Sequence, residues 1–310
     1  MRRTPRAWVL VTGLFVFAVL GPILSRLGAQ APKSLTSNLF SHVLKSAEVD
    51  AVFARIEDAA DVYVKPNHGV AFRVSTNTNK QVPWKLHTEA DEIWFVRRGS
   101  AKVSLAPFTL QVGVTPPGDI HVVGAGDVIY VSRNSAYRIE PSAGRLEYVA
   151  VRVFPSRSEA AATDPTETGR IPTVISKVEI DRFFSSATQS EPLGAGDTVA
   201  LDRVIYNGKP GPWESHETAD QIYFVRHGTA QASLDGFIVD AKLTAPGQIR
   251  GSGVIGASQF TIGPGDIVWI PRNTAHFIDP GSGKVGYFLV RLPTSEQYMP
   301  KSISQGEGAL

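Results

Sequence analysis

Residues 213–228 read WESHETADQIYFVRHG, and residues 84–99 read WKLHTEADEIWFVRRG. The two stretches share Trp, one His, Ala-Asp, Ile, Phe-Val-Arg and Gly in register. They differ at Lys85/Glu214 and Glu92/Gln221, polar positions on either side of that His. The copy reaches further out: Pro83–Leu105 and Pro212–Leu234 agree at 13 of 23 positions. GDVIYVSRNSAYRIEP (126–141) then matches GDIVWIPRNTAHFIDP (265–280). The copies lie 129 residues apart at Trp84/Trp213 and 139 at Gly126/Gly265, so the second holds ten extra residues, assigned to the loop-rich stretch 235–257. Self-similarity over such a period means one structural unit built twice.

Inside each copy the signals are β. Glu92-Ile93-Trp94-Phe95-Val96 and Asp127-Val128-Ile129-Tyr130-Val131 are aromatic and β-branched, and Gly and Pro interrupt such runs at short intervals. Many short strands separated by turns predict an all-β fold of two jelly-roll barrels. A short helix is expected before each barrel, over Glu48-Val49-Asp50 ahead of Phe53 and over Glu179-Ile180-Asp181 ahead of Phe184. The stretch 156–172 (SRSEAAATDPTETGRIP) has the polar, Pro-containing composition of a linker. The expected organisation is therefore an N-terminal helical segment at 30–60, a first domain at 61–155, a linker and helix at 156–189, a second domain at 190–294 and a tail at 295–310.

The first 29 residues stand apart. Arg2, Arg3 and Arg6 precede an apolar run from Trp8 to Leu24, and small residues follow at Ala29 and Ala31. This is the layout of a cleaved secretory signal peptide, with cleavage after Ala29 or Ala31. Gly13, Gly21, Pro22 and the short run disfavour a retained anchor. The expected location is periplasmic or secreted, with no membrane partner after cleavage. Removing 29 residues takes four Arg and no acid from a total of 31 basic and 29 acidic residues, leaving 27 against 29. A net charge of −2 and no helix-turn-helix pattern argue against a nucleic-acid surface. The absence of cysteine removes disulfides, thiolate metal sites and a thiol nucleophile.

Alternate residues of a strand share a face, so Glu214 and His216 point together. Gln221 follows a Glu-Thr-Ala-Asp turn (217–220) and is expected beside His216 across a hairpin, while His276 approaches from a distant strand. A carboxylate, two imidazoles and an amide oxygen suit one divalent ion, Fe, Mn, Ni or Zn, in preference to a soft metal. Periodicity does not by itself bring His276 to the other three. The first copy has Lys85, His87, Glu92 and Tyr137 at these positions. A charged Lys85 repels a cation, and Tyr137 replaces a neutral imidazole. The first site is thus expected to be degenerate, with the Lys85 ammonium in the place of the ion and paired with Glu92. Tyr223, Trp269 and Arg203 are candidates for the wall of the second pocket. Arg97/Arg226 and Arg133/Arg272 occur in both copies, the silent one included, and are read as structural.

Both copies resemble cupin domains, and the whole resembles a bicupin. The family's first motif has the form G-x5-H-x-H-x3,4-E-x6-G and its second G-x5-P-x-G-x2-H-x3-N. Glu214, His216, Gln221 and Gly228 occupy the first motif; Gly265, Pro271, Asn273 and His276 occupy the second. The first copy has Ser132 at the Pro position. The resemblance covers about residues 61–155 and 190–294. It implies jelly-roll barrels and metal ligation by Glu214, His216, Gln221 and His276, with Glu214 able to act as a catalytic base. It also implies a small-molecule substrate and assembly into homo-oligomers. The expected activity is that of a metal-dependent dioxygenase or a Lewis-acid hydrolase, lyase or isomerase. A carrier or storage protein for a small ligand is the competing reading.

Overall fold

The structure is a computed structural model, and it describes residues 42–65, 68–76, 83–87, 90–107, 118–142, 144–154, 173–195 and 200–293. The expected signal peptide, the linker at 156–172 and the tail at 295–310 lie outside the described residues.

The described chain begins with β1 (His42–Leu44) and α1 (Ser46–Phe53). The first copy then runs through β2 (Ala59–Lys65), β3 (His68–Thr76), β4 (Lys85–His87), β5 (Asp91–Arg98), β6 (Ser100–Pro107), β7 (Asp119–Gly124), β8 (Val128–Val131), β9 (Ser135–Pro141) and β10 (Arg145–Val153). They form two antiparallel sheets, β8-β5-β10-β3-β2 and β4-β9-β6-β7. Trp94, Val96, Val103, Leu105, Ile129, Tyr137 and Ile139 fill the space between the sheets. β11 (Thr173–Ile175) and α2 (Lys177–Ser186) come next. Ser176 caps α2 through its side chain, and Glu179 reaches back to the Ser176 N–H, a capping box that stops the helix from fraying.

The second copy comprises β12 (Glu191–Ala195), β13 (Ala200–Asn207), β14 (Trp213–His216), β15 (Ala219–Gly228), β16 (Ala230–Leu234), β17 (Phe237–Val239), β18 (Lys242–Ala245), β19 (Gln248–Gly251), β20 (Gly253–Ile255), β21 (Ser258–Ile262), β22 (Ile267–Ile270), β23 (His276–Asp279) and β24 (Lys284–Pro293). Its sheets are β22-β15-β24-β13-β12 and β18-β19-β14-β23-β16-β21, with β17 and β20 paired separately. The stretch 235–257, expected to be loop-rich, is thus mostly strand, and β19 pairs with β14. Tyr223, Val225, Leu234, Val268, Ile270, Ile278, Tyr287 and Leu289 pack the interior. The all-β, two-barrel fold with a helix before each barrel is the expected one.

The barrels are locked by exchange. β1, ahead of the first copy, adds to the second copy's sheet beside β22, while β11, ahead of the second, adds to the first copy's sheet beside β8. The Ser46 N–H donates to Asp266 at 2.7 Å, and the Lys177 N–H donates to the equivalent Asp127 at 2.5 Å. A third core lies between the barrels, where α1 contributes Val49 and Phe53 and α2 contributes Ile180 and Phe184. The paired arginines belong to this scaffold: Arg226 donates to the Gly126 carbonyl at 2.7 Å, and Arg97 binds Asp50 at 3.0 Å. The Arg133 and Arg272 N–H groups donate to Asp91 and Asp220, each at 2.8 Å.

One glycine of the repeated motif has a steric cause. Gly228 has φ of 64°, and a Cβ there would meet the Lys284 carbonyl oxygen at 1.7 Å. Gly99 repeats this at φ of 81° against the Arg145 oxygen at 2.1 Å.

Candidate metal centre

β14 carries Glu214 and His216, and pairs on one side with β23, placing Glu214 directly opposite His276. Residues opposite one another in an antiparallel pair share a face. The turn before β23 is held by Asn273, which adopts φ of 62°, a conformation that Asn tolerates better than most residues. The Asn273 N–H donates to the His216 carbonyl at 2.7 Å, tying the two imidazole-bearing segments together.

Glu214 Oε1 lies 3.7 Å from His216 Nε2 and 3.8 Å from His276 Nε2. All three ligand atoms fall within 4.8 Å of one another, and this cluster can hold a metal ion. Around an ion with ligand bonds of about 2.1 Å, neighbouring donors sit ~3.0–3.4 Å apart, so small side-chain rotations close the set. The orientation of His276 fits that use. Its Nδ1 faces the Thr274 carbonyl at 3.1 Å, and a proton there makes that hydrogen bond and leaves Nε2 as a lone pair. His276 Nε2 is buried and has no hydrogen-bond partner among the described residues. A buried lone pair without a donor is unusual enough to require a reason.

The electrostatics favour the same state. Burial pushes the His276 imidazole down to a pKa of about 4, and the nearby His216 adds to the effect. For Glu214, burial acts to raise the pKa, but the neighbouring His216 and His276 imidazoles and the hydrogen bond from Arg250 outweigh it and hold the carboxyl at about 2. At neutral pH the pair is a neutral imidazole and a carboxylate, the donor forms a cation needs.

Gln221 stands differently from its expected place. β14 and β15 are consecutive but belong to different sheets, so the chain turns a corner between them and Gln221 is not across a hairpin from His216. Its Oε1 accepts a hydrogen bond from the Tyr223 hydroxyl at 2.6 Å, and the Tyr223 ring centre lies 6.4 Å from that of His276. Tyr223 belongs to the apolar interior of the second barrel. Tyr287 stacks on it at 4.4 Å, and Tyr206 follows at 6.3 Å from Tyr287. Burial raises the pKa of all three phenols, which keeps them protonated as hydrogen-bond donors.

Two expected pocket residues turn out to face away. Trp269 lies on the opposite face of β22 from Val268 and Ile270, and packs in the core between the barrels. Arg203 pairs with Glu191 at 2.9 Å and sits 4.0 Å over the Phe183 ring, outside the barrel interior. Both β13 and β22 are buried on two faces, so alternation marks which residues belong together without saying which set enters the barrel. The sequence reading also missed Gln248 and Arg250. Gln248 Nε2 donates to Glu214 Oε2 at 2.9 Å and Arg250 Nε to the same oxygen at 3.1 Å.

The first barrel repeats the geometry with other chemistry. Lys85 is opposite Tyr137 as Glu214 is opposite His276. The His87 side chain lies outside the described residues. Tyr137 meets Trp94 edge-on at 4.9 Å inside the apolar core. The Arg152 guanidinium pairs with Glu92 Oε1, and the Trp94 indole N–H donates to Glu92 Oε2. Arg152 is thus a partner of Glu92 that sequence reasoning overlooked.

No protein-family model and no curated protein sequence matches the chain. Solved structures do. A cupin 2 conserved barrel domain protein from Leptotrichia buccalis aligns with TM-score 0.55 at 10% identity, covering 83% of this chain and 98% of its own. The salicylate 1,2-dioxygenase of Pseudaminobacter salicylatoxidans aligns with TM-score 0.55 at 11% identity, covering 87% of this chain and 88% of its own. Identities this low speak for the fold alone, and with two barrels grown from one repeated sequence the chain has the fold of the cupin superfamily in its double form.

Proposed function

We propose that the second barrel is a metal centre held by Glu214, His216 and His276, and that the protein is an exported metal-dependent enzyme acting on a small organic substrate. The observation that carries this reading is His276 Nε2, a buried lone pair aimed at a carboxylate oxygen 3.8 Å away and flanked by a second imidazole. Two His and one carboxylate leave coordination positions open, as in non-haem iron oxygenases and catalytic zinc sites. Bound there, Fe, Mn, Ni or Zn supplies either oxygen chemistry or Lewis-acid polarisation of the substrate.

The protein's own groups divide the remaining work. Glu214 supplies the anionic donor and, if it detaches, a base. Gln221 reads better as a hydrogen-bonding wall than as a fourth ligand, because Tyr223 already engages its oxygen. The first barrel is proposed to be metal-free, since Arg152 neutralises Glu92 and Tyr137 is packed against Trp94. A structural neighbour described as a salicylate 1,2-dioxygenase makes oxygen-dependent cleavage of an aromatic acid the first reaction to try. Export rests on the signal-peptide layout of residues 1–29.

Elemental analysis of protein purified from its native compartment is the test, followed by oxygen-uptake assays of the metal-loaded protein with small organic acids. One metal per chain is expected, lost in His216→Ala and His276→Ala. Native protein that is metal-free and resists loading would overturn the reading. Tight ligand binding without turnover would instead assign the protein to carriage of a small ligand.

A further inference from the structure

The stretch 235–257, to which the ten additional residues are assigned, contributes side chains to the Glu214 cluster. β19 lies within the stretch that holds them, and β14 is flanked by β23 on one side and β19 on the other. Across these pairings Glu214 is opposite both His276 and Arg250, and His216 is opposite Gln248. One row of the sheet therefore runs Arg250, Glu214, His276 on a single face.

The Glu214 carboxylate is divided between the two sides. Oε1 is the oxygen that faces the imidazoles, at 3.7 and 3.8 Å from their Nε2 atoms. Oε2 accepts from Gln248 Nε2 at 2.9 Å and from Arg250 Nε at 3.1 Å, so both hydrogen bonds fall on the oxygen turned away from His276. The Glu214 side chain is 14% exposed, and a carboxylate so buried needs such donors.

We propose that Gln248 and Arg250 are positioning residues that restrict Glu214 to ligation through one oxygen. The proposal rests on the metal reading of the second barrel. A carboxylate whose second oxygen is occupied binds a cation through Oε1 alone and leaves one more coordination position for substrate. The Arg250 charge also draws electron density away from the ligand, which leaves the ion more electrophilic. Outer partners of this kind typically tune metal affinity by about 10- to 100-fold. β19 thus supplies both partners of the Glu214 carboxylate oxygen that faces away from the imidazoles.

Cobalt(II) is a suitable probe, because titration reports its affinity and its visible absorption reports its coordination number. The Gln248→Leu/Arg250→Met double variant is expected to change its cobalt affinity by about 10-fold or more. Its absorption should shift toward higher coordination as Oε2 joins the ion. Arg250→Met alone, at a half-exposed position, should shift the absorption in the same direction, and Arg250→Lys should restore the native spectrum. Native affinity and an unchanged spectrum in both Met variants would overturn the proposal while leaving the metal site standing. Wild-type protein that takes up no cobalt would overturn both.

Discussion

Phe95 and Phe224 stack face to face across the barrel–barrel boundary, with ring centres 3.7 Å apart and planes 15° from parallel. They are equivalent residues of the two copies, 129 positions apart. The repeat thus meets itself at this point, on a pseudo-two-fold relation that the exchanged β1 and β11 also obey. Phe95→Ala should cost about 3–5 kcal/mol. Because the core is common to both barrels, chemical denaturation of wild type and variant should each show a single transition. Two separate transitions in the wild type would refute the shared core.

The metal-free protein should lose stability in acid before most carboxylates titrate. His276 has a folded pKa of about 4, below the ~6.5 of an unfolded histidine. The unfolded chain then binds more protons between these values, so the stability present above pH ~6.5 is lost as pH falls toward 4. The effect should reach on the order of 3 kcal/mol. Glu214, held at about 2, has the same sign but acts at lower pH. Denaturant midpoints of wild type and His276→Gln at several pH values check this; equal slopes would exclude His276 as the source.

In the first barrel the Glu92 carboxylate is 3% exposed and pairs with Arg152. Arg152→Met should destabilise the protein, by up to about 3–5 kcal/mol, since it removes a charged partner of a buried carboxylate. Arg152→Met combined with Glu92→Gln should recover much of the loss, because both charges are then gone. A thermal denaturation series over the two single variants and the double variant measures the coupling.

Tyr223→Phe tests the reading of Gln221. The variant should retain its metal and lose about 1–3 kcal/mol, because the buried Gln221 oxygen loses its donor. Metal content and melting temperature measured together report both effects. A gain in metal affinity would show that the freed amide oxygen ligates the ion, and that Gln221 belongs to the ligand set after all.

Much of this protein was open to inspection in one dimension. The repeat, the β character, the two helices led by Glu48 and Glu179, and the residue types of the site are all visible in the chain, because strand period and repeat register are local properties. The three cluster members Glu214, His216 and His276 were named from their chemistry and spacing. Tertiary structure decided the rest. Strands buried on both faces carry the same alternation whichever face enters the barrel, so Trp269 and Arg203 could be assigned only once the inter-barrel core was seen. Gln221 looked like a hairpin partner because a corner between two sheets and a hairpin read alike in a short polar turn. Gln248, Arg250 and Arg152 reach their carboxylates only across strand pairings 34, 36 and 60 residues distant. Sequence specified which groups were available to the site; the pairing of distant strands determined which of them meet.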